Sequence, residues 1–236
     1  MFCDSISRLA ACGVVVVGAG VASAGTLYDT LGPSDASDGL SYWSVGTTNG
    51  RDVWQAMPFD VGAGEYSDIE ISVAMSWTNT LAPELLDFSL VLYAADGTGP
   101  TPGGPVVSGA PGTRLAELNL DATSLPEWDG DNGPVPTTFS FDTTLAGNMR
   151  YWLAVETERP SDGQILWHLN TMGVSIEKAQ RVETNGAFPS TWTILQGDLW
   201  GNDGAMRVSG TLVPAPGCVA VLGAGGLALV RRRRRA

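Results

Sequence analysis

The sequence predicts an all-β fold, an antiparallel β-sandwich that is jelly-roll-like, with short strands wound into two sheets. Residues Asp68 to Trp77 alternate between apolar and polar side chains, which is the period of two of a half-buried strand. Similar short runs recur along the chain, and their connections are rich in Gly, Pro, Asp and Asn. Many short strands joined by such turns are typical of sandwiches. We expect an N-terminal signal helix and a C-terminal apolar helix on either side of this domain.

The predicted strands follow one another from residue 26 to residue 213. On Asp68–Trp77 every second residue is apolar and lies on one face, namely Ile69, Ile71, Val73, Met75 and Trp77. On Arg150–Thr157 Trp152 lies on the face opposite to Tyr151 and Leu153. The glycine- and proline-rich segment Asp96–Pro111 is predicted to be an exposed loop. The other predicted strands are Thr26–Leu31, Asp52–Phe59, Asp87–Ala94, Arg114–Leu120, Thr137–Phe141, Gln164–Leu169, Val174–Lys178, Thr191–Leu195 and Ala205–Val213.

Residues 1–24 have the three parts of a secretory signal peptide. Arg8 supplies a positive charge, an apolar run extends from Leu9 to Val21, and an Ala-x-Ala site of the kind that signal peptidase cleaves follows at Ala22 and Ala24. The apolar run is shorter than the roughly 20 residues that a membrane-spanning helix needs. We therefore expect cleavage after Ala24, with a buried N-terminal helix as the alternative.

Residues 213–236 form a second three-part pattern. A short motif is followed by an apolar run from Cys218 to Val230 and then by five arginines. Arginines after a hydrophobic segment are held on the cytoplasmic side of a membrane, and this run is marginal in length as a permanent span. The pattern predicts a transient, cleavable membrane handle, with a permanent anchor as the alternative. Its motif residues are Val213, Pro214, Ala215 and Pro216, and its membrane-stop residues are Arg231, Arg232, Arg233, Arg234 and Arg235.

This arrangement resembles the PEP-CTERM sorting signal of Gram-negative bacteria, in which Val-Pro-Glu-Pro precedes an apolar helix and a basic end. The resemblance covers Val213–Ala236. It implies cleavage near the motif by an exosortase-like processing enzyme and a transient association with the inner membrane. Ala215 stands where the family usually has glutamate, which makes cleavage by that enzyme conditional.

Removing the two terminal segments changes the composition sharply. All three cysteines, Cys3, Cys12 and Cys218, lie in these segments, so the domain at 25–212 has no disulfide and no thiolate metal site. Outside the terminal segments 24 acidic and seven basic residues remain, a formal net charge of −17 against −12 for the whole chain. Such a surface repels nucleic acid and favours solubility outside the cell. We expect no nucleic-acid partner.

A second resemblance concerns the domain itself. The segments Tyr28 to Gly32, Val91 to Gly97, Pro111 to Ala116 and Tyr151 to Leu153 resemble, in this order, the choice-of-anchor domains of secreted bacterial proteins. The resemblance covers most of Leu27 to Val213. It implies export and surface display, and it supplies no catalytic residue.

The residues that usually carry catalysis are sparse. His168 is the only histidine, which excludes a multi-histidine metal site, and no Gly-x-Ser-x-Gly motif is present. Paired carboxylates are the remaining route to hydrolysis, with Glu70, Glu156 and Glu158 as candidates. The spacing of these residues does not bring any two of them together, so we expect a protein that is not an enzyme.

Two loops suggest ligand binding. Trp128 and Trp200 lie in Asp- and Gly-rich segments, where an exposed ring could stack on a sugar, although core packing is the alternative for all eight tryptophans. Asp129 and Asp131 place oxygen ligands on a turn, which suggests calcium, with a metal-free turn as the alternative.

Together these features predict an exported protein of the cell envelope or extracellular matrix, cut by signal peptidase and sorted by its C-terminal segment. The alternative is a carbohydrate-binding jelly-roll module that acts on extracellular polysaccharide.

Overall fold

The structure of the chain is a computed structural model. Both terminal segments, and with them the predicted signal and apolar helices, lie outside the described residues. The described residues are 24–48, 51–78, 83–96, 109–157, 163–173, 177–183, 191–196 and 202–214.

Strands make up almost all the regular structure of the described residues, and two short 3₁₀ helices, Pro83–Leu85 and Ala122–Ser124, accompany them. This confirms the all-β prediction. In chain order the strands are β1 (Ala24–Asp29), β2 (Ser37–Thr48), β3 (Arg51–Val61), β4 (Glu65–Val73), β5 (Met75–Thr78), β6 (Asp87–Ala95), β7 (Pro111–Asp121), β8 (Thr137–Phe141), β9 (Leu145–Ala146), β10 (Met149–Thr157), β11 (Gln164–Asn170), β12 (Glu177–Val182), β13 (Thr193–Gln196) and β14 (Met206–Leu212).

The strands form two antiparallel sheets. In the five-stranded sheet the order is β1-β14-β4-β8, and β9 also pairs with β4. In the nine-stranded sheet the order is β5-β11-β2-β3-β10-β6-β7, while β12 pairs with β3 and β13 pairs with β12. The first and last strands are therefore neighbours, although most of the chain separates them.

The main core lies between the two sheets. On β4 the side chains of Ile69, Ile71 and Val73 are fully buried, and on β10 those of Tyr151 and Leu153 join the same cluster. Because side chains alternate across a strand, the polar residues between them point away from this core in the five-stranded sheet. This pattern is the one that the alternation in the sequence predicts.

The predicted strand Asp68–Trp77 is divided in two. β4 ends at Val73 and β5 begins at Met75, and the intervening Ala74 packs with Leu31 and Ala205. Ser76, which the alternation places on a polar face, is fully buried. That expectation was wrong because the outer face of the nine-stranded sheet is also covered at this point.

The segment Asp96–Pro111 connects β6 to β7, as its composition predicts. Residues 97–108 lie outside the described part, and the two ends of the connection are joined by a 2.7 Å hydrogen bond from Asp96 N to Ala110 O. The indole Nε1 of Trp152 donates to Gly109 O at 2.8 Å. The base of this loop is therefore fastened to the outer face of β10.

Candidate functional site

The outer face of the nine-stranded sheet carries a second apolar cluster. Trp152 and Ala154 on β10 face away from the main core and pack with Ala56 on β3, Val91 on β6 and Ala179 on β12. Trp152 is fully buried, which confirms that it lies opposite Tyr151 and Leu153. The sheet is therefore buried on both faces here, and polar groups on the outer face are partly shielded from water.

An ion-pair network lies at one side of this face. Glu156 on β10 is only 4% exposed, and both of its carboxylate oxygens are bonded. Tyr93 Oη on β6 donates to Oε1 at 2.6 Å, and Arg114 Nη2 on β7 donates to Oε2 at 2.7 Å. Arg114 Nη1 also donates to Glu117 at 2.6 Å. The antiparallel register of β10, β6 and β7 brings these groups together.

Burial dominates the electrostatics of this network. Loss of hydration raises the pKa of Glu156, and the hydrogen bond from Tyr93 and the charge of Arg114 partly oppose that change. Burial, together with the bond to Glu156, raises the pKa of Tyr93 to about 12. Tyr93 is therefore a stable hydrogen-bond donor at neutral pH.

Aromatic rings and a second arginine extend the network. The ring centroids of Tyr93 and Trp192 are 6.1 Å apart in an edge-on arrangement, and those of Trp192 and Trp54 are 6.4 Å apart. The guanidinium of Arg181 lies 4.7 Å from the centroid of Trp192 and 5.8 Å from that of Trp54, which are cation–π distances. We call Trp54, Tyr93, Arg114, Glu156, Arg181 and Trp192 the outer-face cluster.

The outer-face cluster combines a buried acid with two cations and three rings. Hydrolysis by paired carboxylates requires two acids held across a substrate, and here both oxygens of Glu156 are already bonded. Glu70 lies on β4 of the other sheet, and Glu158 is outside the described residues. The structure thus places Glu70 and Glu156 in different sheets and does not pair them.

His168 forms a buried contact that the sequence does not reveal. Its side chain is fully buried on β11, and Nδ1 lies 3.0 Å from Asp38 O while Nε2 lies 2.8 Å from Ser76 Oγ. A carbonyl oxygen only accepts, so Nδ1 carries the proton and Nε2 accepts from the serine. Burial lowers the pKa of His168. Ser76 is fully buried as well, so this serine–histidine pair has no accessible nucleophile.

Trp128, a predicted sugar-binding residue, is half-buried. Its indole Nε1 donates to Gly39 O at 3.1 Å, and its ring packs edge-on against Tyr42 with centroids 5.2 Å apart. The centroids of the Trp128 and His168 rings are 6.4 Å apart. These contacts fasten the segment around Trp128 to β2 and leave part of the ring to solvent. The other predicted ligand residue, Trp200, lies outside the described part of the chain.

Asp129, a predicted calcium ligand, is bonded within its own turn. Its Oδ1 accepts from the backbone amides of Asp131 and Asn132 at 3.0 Å each, and its Oδ2 accepts from Asn132 Nδ2 at 3.3 Å. These hydrogen bonds lower the pKa of Asp129. Asp131 is exposed, and within the residues described here no group of three or more acidic, histidine or cysteine side chains is placed to hold a metal ion. Calcium binding stays a prediction.

The predicted processing residues that the structure describes lie at one end of the five-stranded sheet, where β1 starts and β14 ends. Ala24 is the first residue of β1 and pairs with Thr211 on β14. Val213 follows the end of β14, and its amide donates to Glu65 O at 2.7 Å; Pro214 is exposed. Ala22, Ala215, Pro216 and the five arginines from Arg231 to Arg235 lie outside the described residues.

Comparisons with known proteins give no relative: no family model, no curated protein and no solved structure matches the chain. In the part of the chain that the structure describes, no helix is long and apolar enough to cross a membrane.

Proposed function

We propose that this chain is an exported protein of the cell envelope or extracellular matrix, released by signal peptidase and sorted by a PEP-CTERM-like C-terminal segment. The observation that carries the proposal is the agreement between the strand ends and the predicted processing sites. β14 ends at Leu212, one residue before the motif that starts at Val213, and the expected signal-peptide cut after Ala24 falls beside the pair that Ala24 forms with Thr211 at that same end of β14.

Both cuts would leave the described domain intact. Cleavage after Ala24 leaves Gly25 to Asp29 paired with β14. Cleavage after Pro216 lies beyond the amide of Val213, which bonds to Glu65 O. The domain therefore keeps its strand pairing when the two terminal segments are removed, as a sorting signal requires.

The winding of the strands supports a jelly roll. In that fold the first and last strands are neighbours in one sheet, and two Greek keys interleave the sheets. The order β1-β14-β4-β8 in one sheet and β3-β10-β6-β7 in the other is consistent with this winding. The additional strands β5, β11 and β2 extend the second sheet. The choice-of-anchor resemblance and the absence of cysteine from the domain fit surface display.

The sorting proposal is tested by intact mass spectrometry of the protein from a Gram-negative host that contains an exosortase. The expected mature form begins at Gly25 and lacks the segment after Pro216. The variant P216A is expected to keep the arginine tail, whereas P134A, a proline in an exposed connection of the domain, is expected to be processed normally. A surface protein with an intact Arg231–Arg235 tail would contradict processing.

The second candidate function is binding of extracellular polysaccharide by a domain that is not an enzyme. The outer-face cluster favours it, because half-buried Trp54 and Arg114, whose side chain is 45% exposed, border its buried rings. Aromatic rings pack on sugar faces, and arginine donates to hydroxyl or carboxylate oxygens. A glycan array with the domain tests this function.

Tryptophan variants in the same array distinguish the outer-face cluster from the predicted loops as the sugar-binding site. Loss of binding in W54A, with W128A and W200A unchanged, is expected if the outer-face cluster holds the sugar. The reverse result would assign the site to the predicted loops. No glycan bound by the unaltered protein would contradict the polysaccharide function and leave the sorting proposal untouched.

A further inference from the structure

One end of the domain gathers the points at which the chain leaves it. Leu212 pairs with Tyr66, Glu65 pairs with Ala146, and the amide of Asn148 donates to Gly62 O at 3.0 Å. Thr211 on the same strand end pairs with Ala24. We call the residues Gly62–Tyr66, Ala146–Asn148 and Leu212–Pro214 the tail end of the domain.

The tether between the tail end and the apolar run is short. The 2.7 Å bond from the Val213 amide to Glu65 O holds that residue on the domain. Residues 214 to 217 then precede Cys218, and the five residue steps from Val213 to Cys218 reach at most about 18 Å when fully extended. β14 has seven residues and is about 20 Å long. The tether is therefore shorter than the strand, and it cannot pass along the domain to bring the opposite end to a bilayer.

The charge of the tail end is also unlike that of the rest of the domain. Its sequence contains one charged side chain, Glu65, although the domain has a net charge of −17. Small residues occupy both turns, Leu212 is 47% exposed, and the hydroxyl of Tyr66 donates to Ala63 O. Few charges therefore oppose a close approach of this surface to lipid headgroups.

The opposite end of the domain is acidic. Thr30 N donates to Met206 O where β14 begins, and Ala205 N donates to His168 O, which places the Asp38 turn on this side. Asp129 and Asp131 are exposed in this region, while the carboxylate of Asp35 forms an ion pair with Arg207 at 2.7 Å. Anionic lipids repel such a surface.

We propose that the tail end is a membrane-facing surface, which lies against the lipid headgroups for as long as the C-terminal segment holds the chain in the bilayer. The acidic end then points away from the membrane. This inference rests on the proposed membrane handle and adds to it a fixed orientation of the domain. It also keeps the Val213–Pro216 motif within about 18 Å of the headgroups, where a membrane enzyme can reach it.

The orientation is tested with the full chain in phosphatidylcholine vesicles that contain an acceptor-labelled lipid. All three native cysteines are replaced by serine, and a donor dye is attached to A63C at the tail end or to L40C near the opposite end. Both sites are exposed, and Leu40 is 70% exposed, so the pair is matched for labelling. A separation of about 20 Å along the strands predicts energy transfer about twofold higher, or more, from A63C.

Each outcome decides a different point. Equal transfer from both sites, or higher transfer from L40C, would overturn the orientation and leave membrane attachment standing. A full chain that does not float with the vesicles would overturn the membrane handle and the orientation with it. A chain that stops at Pro216 serves as the control and is expected to remain unbound.

Discussion

Tyr93 and Glu156 are joined across two neighbouring strands by a 2.6 Å hydrogen bond on a face where the carboxylate is almost completely buried. The two residues are 63 positions apart in the sequence. Their contact depends on the pairing of β6 with β10, and it links the outer-face cluster to the core of the sheet.

The variant Y93F is expected to lower the free energy of unfolding by about 1–3 kcal/mol, because it leaves a buried carboxylate oxygen without this donor. Urea denaturation measures the change. The matched control is Y66F, whose hydroxyl bonds an exposed carbonyl; it is expected to change stability by less than about 0.5 kcal/mol. Equal effects of the two variants would contradict the role of the buried bond.

The protonation of Glu156 predicts that the stability of the protein depends on pH. The pKa of Glu156 is raised on folding, so the folded state favours the protonated acid. The resulting stabilisation is complete below the unfolded pKa, near 4.5, and is lost as the pH rises through the folded pKa. In E156Q this dependence is removed, so the stability of the variant relative to the unaltered protein should increase from pH 4 to pH 7. A constant difference between the two proteins across that range would contradict the raised pKa.

His168 has the opposite pH dependence. Burial lowers its pKa from 6.5, so its contribution to stability is complete above that value and is lost as the pH falls towards the folded pKa. Asp38 and Asp129 oppose this shift with their negative charges. We expect the unaltered protein to lose stability relative to H168Q as the pH falls from 7.5 to 5.5, at a rate that does not exceed about 1.4 kcal/mol per pH unit. Urea midpoints measured between pH 5.5 and 7.5 test the difference, and parallel curves would contradict it.

Gly204 is predicted to tolerate no side chain. A Cβ at this position would lie 2.6 Å from Trp167 Nε1, inside the main core, whereas a Cβ at Gly62 would have no atom within 4 Å. G204A is expected to lower stability by about 1–3 kcal/mol through overpacking, and G62A is expected to be neutral or slightly stabilising. Thermal unfolding of both variants measures this contrast. A melting temperature for G204A at or above that of G62A would show that the core yields at Trp167.

Strands with clear alternation could be predicted closely from the sequence. Thr137–Phe141 is the same in the prediction and the structure, and Asp87–Ala94 differs from β6 by one residue. In both strands the residues that face the main core recur at every second position, so the period of two is visible, although Val91 and Tyr93 also bury the outer face of β6. Of the predicted strand Val174–Lys178, residues 174–176 lie outside the described part of the chain, and the rest belongs to β12. That strand continues past the predicted end to Val182, where it pairs with β3.

β2 could not be predicted in the same way. It runs from Ser37 to Thr48, and serine, threonine and glycine occupy much of it, so it has weak local preference for a strand. Pairing with β11 stabilises it, and that partner is distant in the sequence. Tertiary contacts, and not local sequence preference, determine that such a segment forms a strand.

The candidate site could be predicted from the sequence less well than the fold. Spacing gives no sign that Ser76 would meet His168, 92 residues away, or that Tyr93, Arg114 and Glu156 would share one face. These groups come together only through strand order. The sequence does identify tryptophan as a candidate ligand residue, but it gives no reason to choose Trp54 over Trp128.

The position of β14 between β1 and β4 has a kinetic consequence. The centre of the five-stranded sheet stays open until β14, the last strand of the described domain, has been synthesised. Until then β1 and β4 each present an unpaired edge, which is a hazard for aggregation. Under the proposed export, completion of the sheet is coupled to completion of translocation, because β14 follows every other strand of the described domain across the membrane.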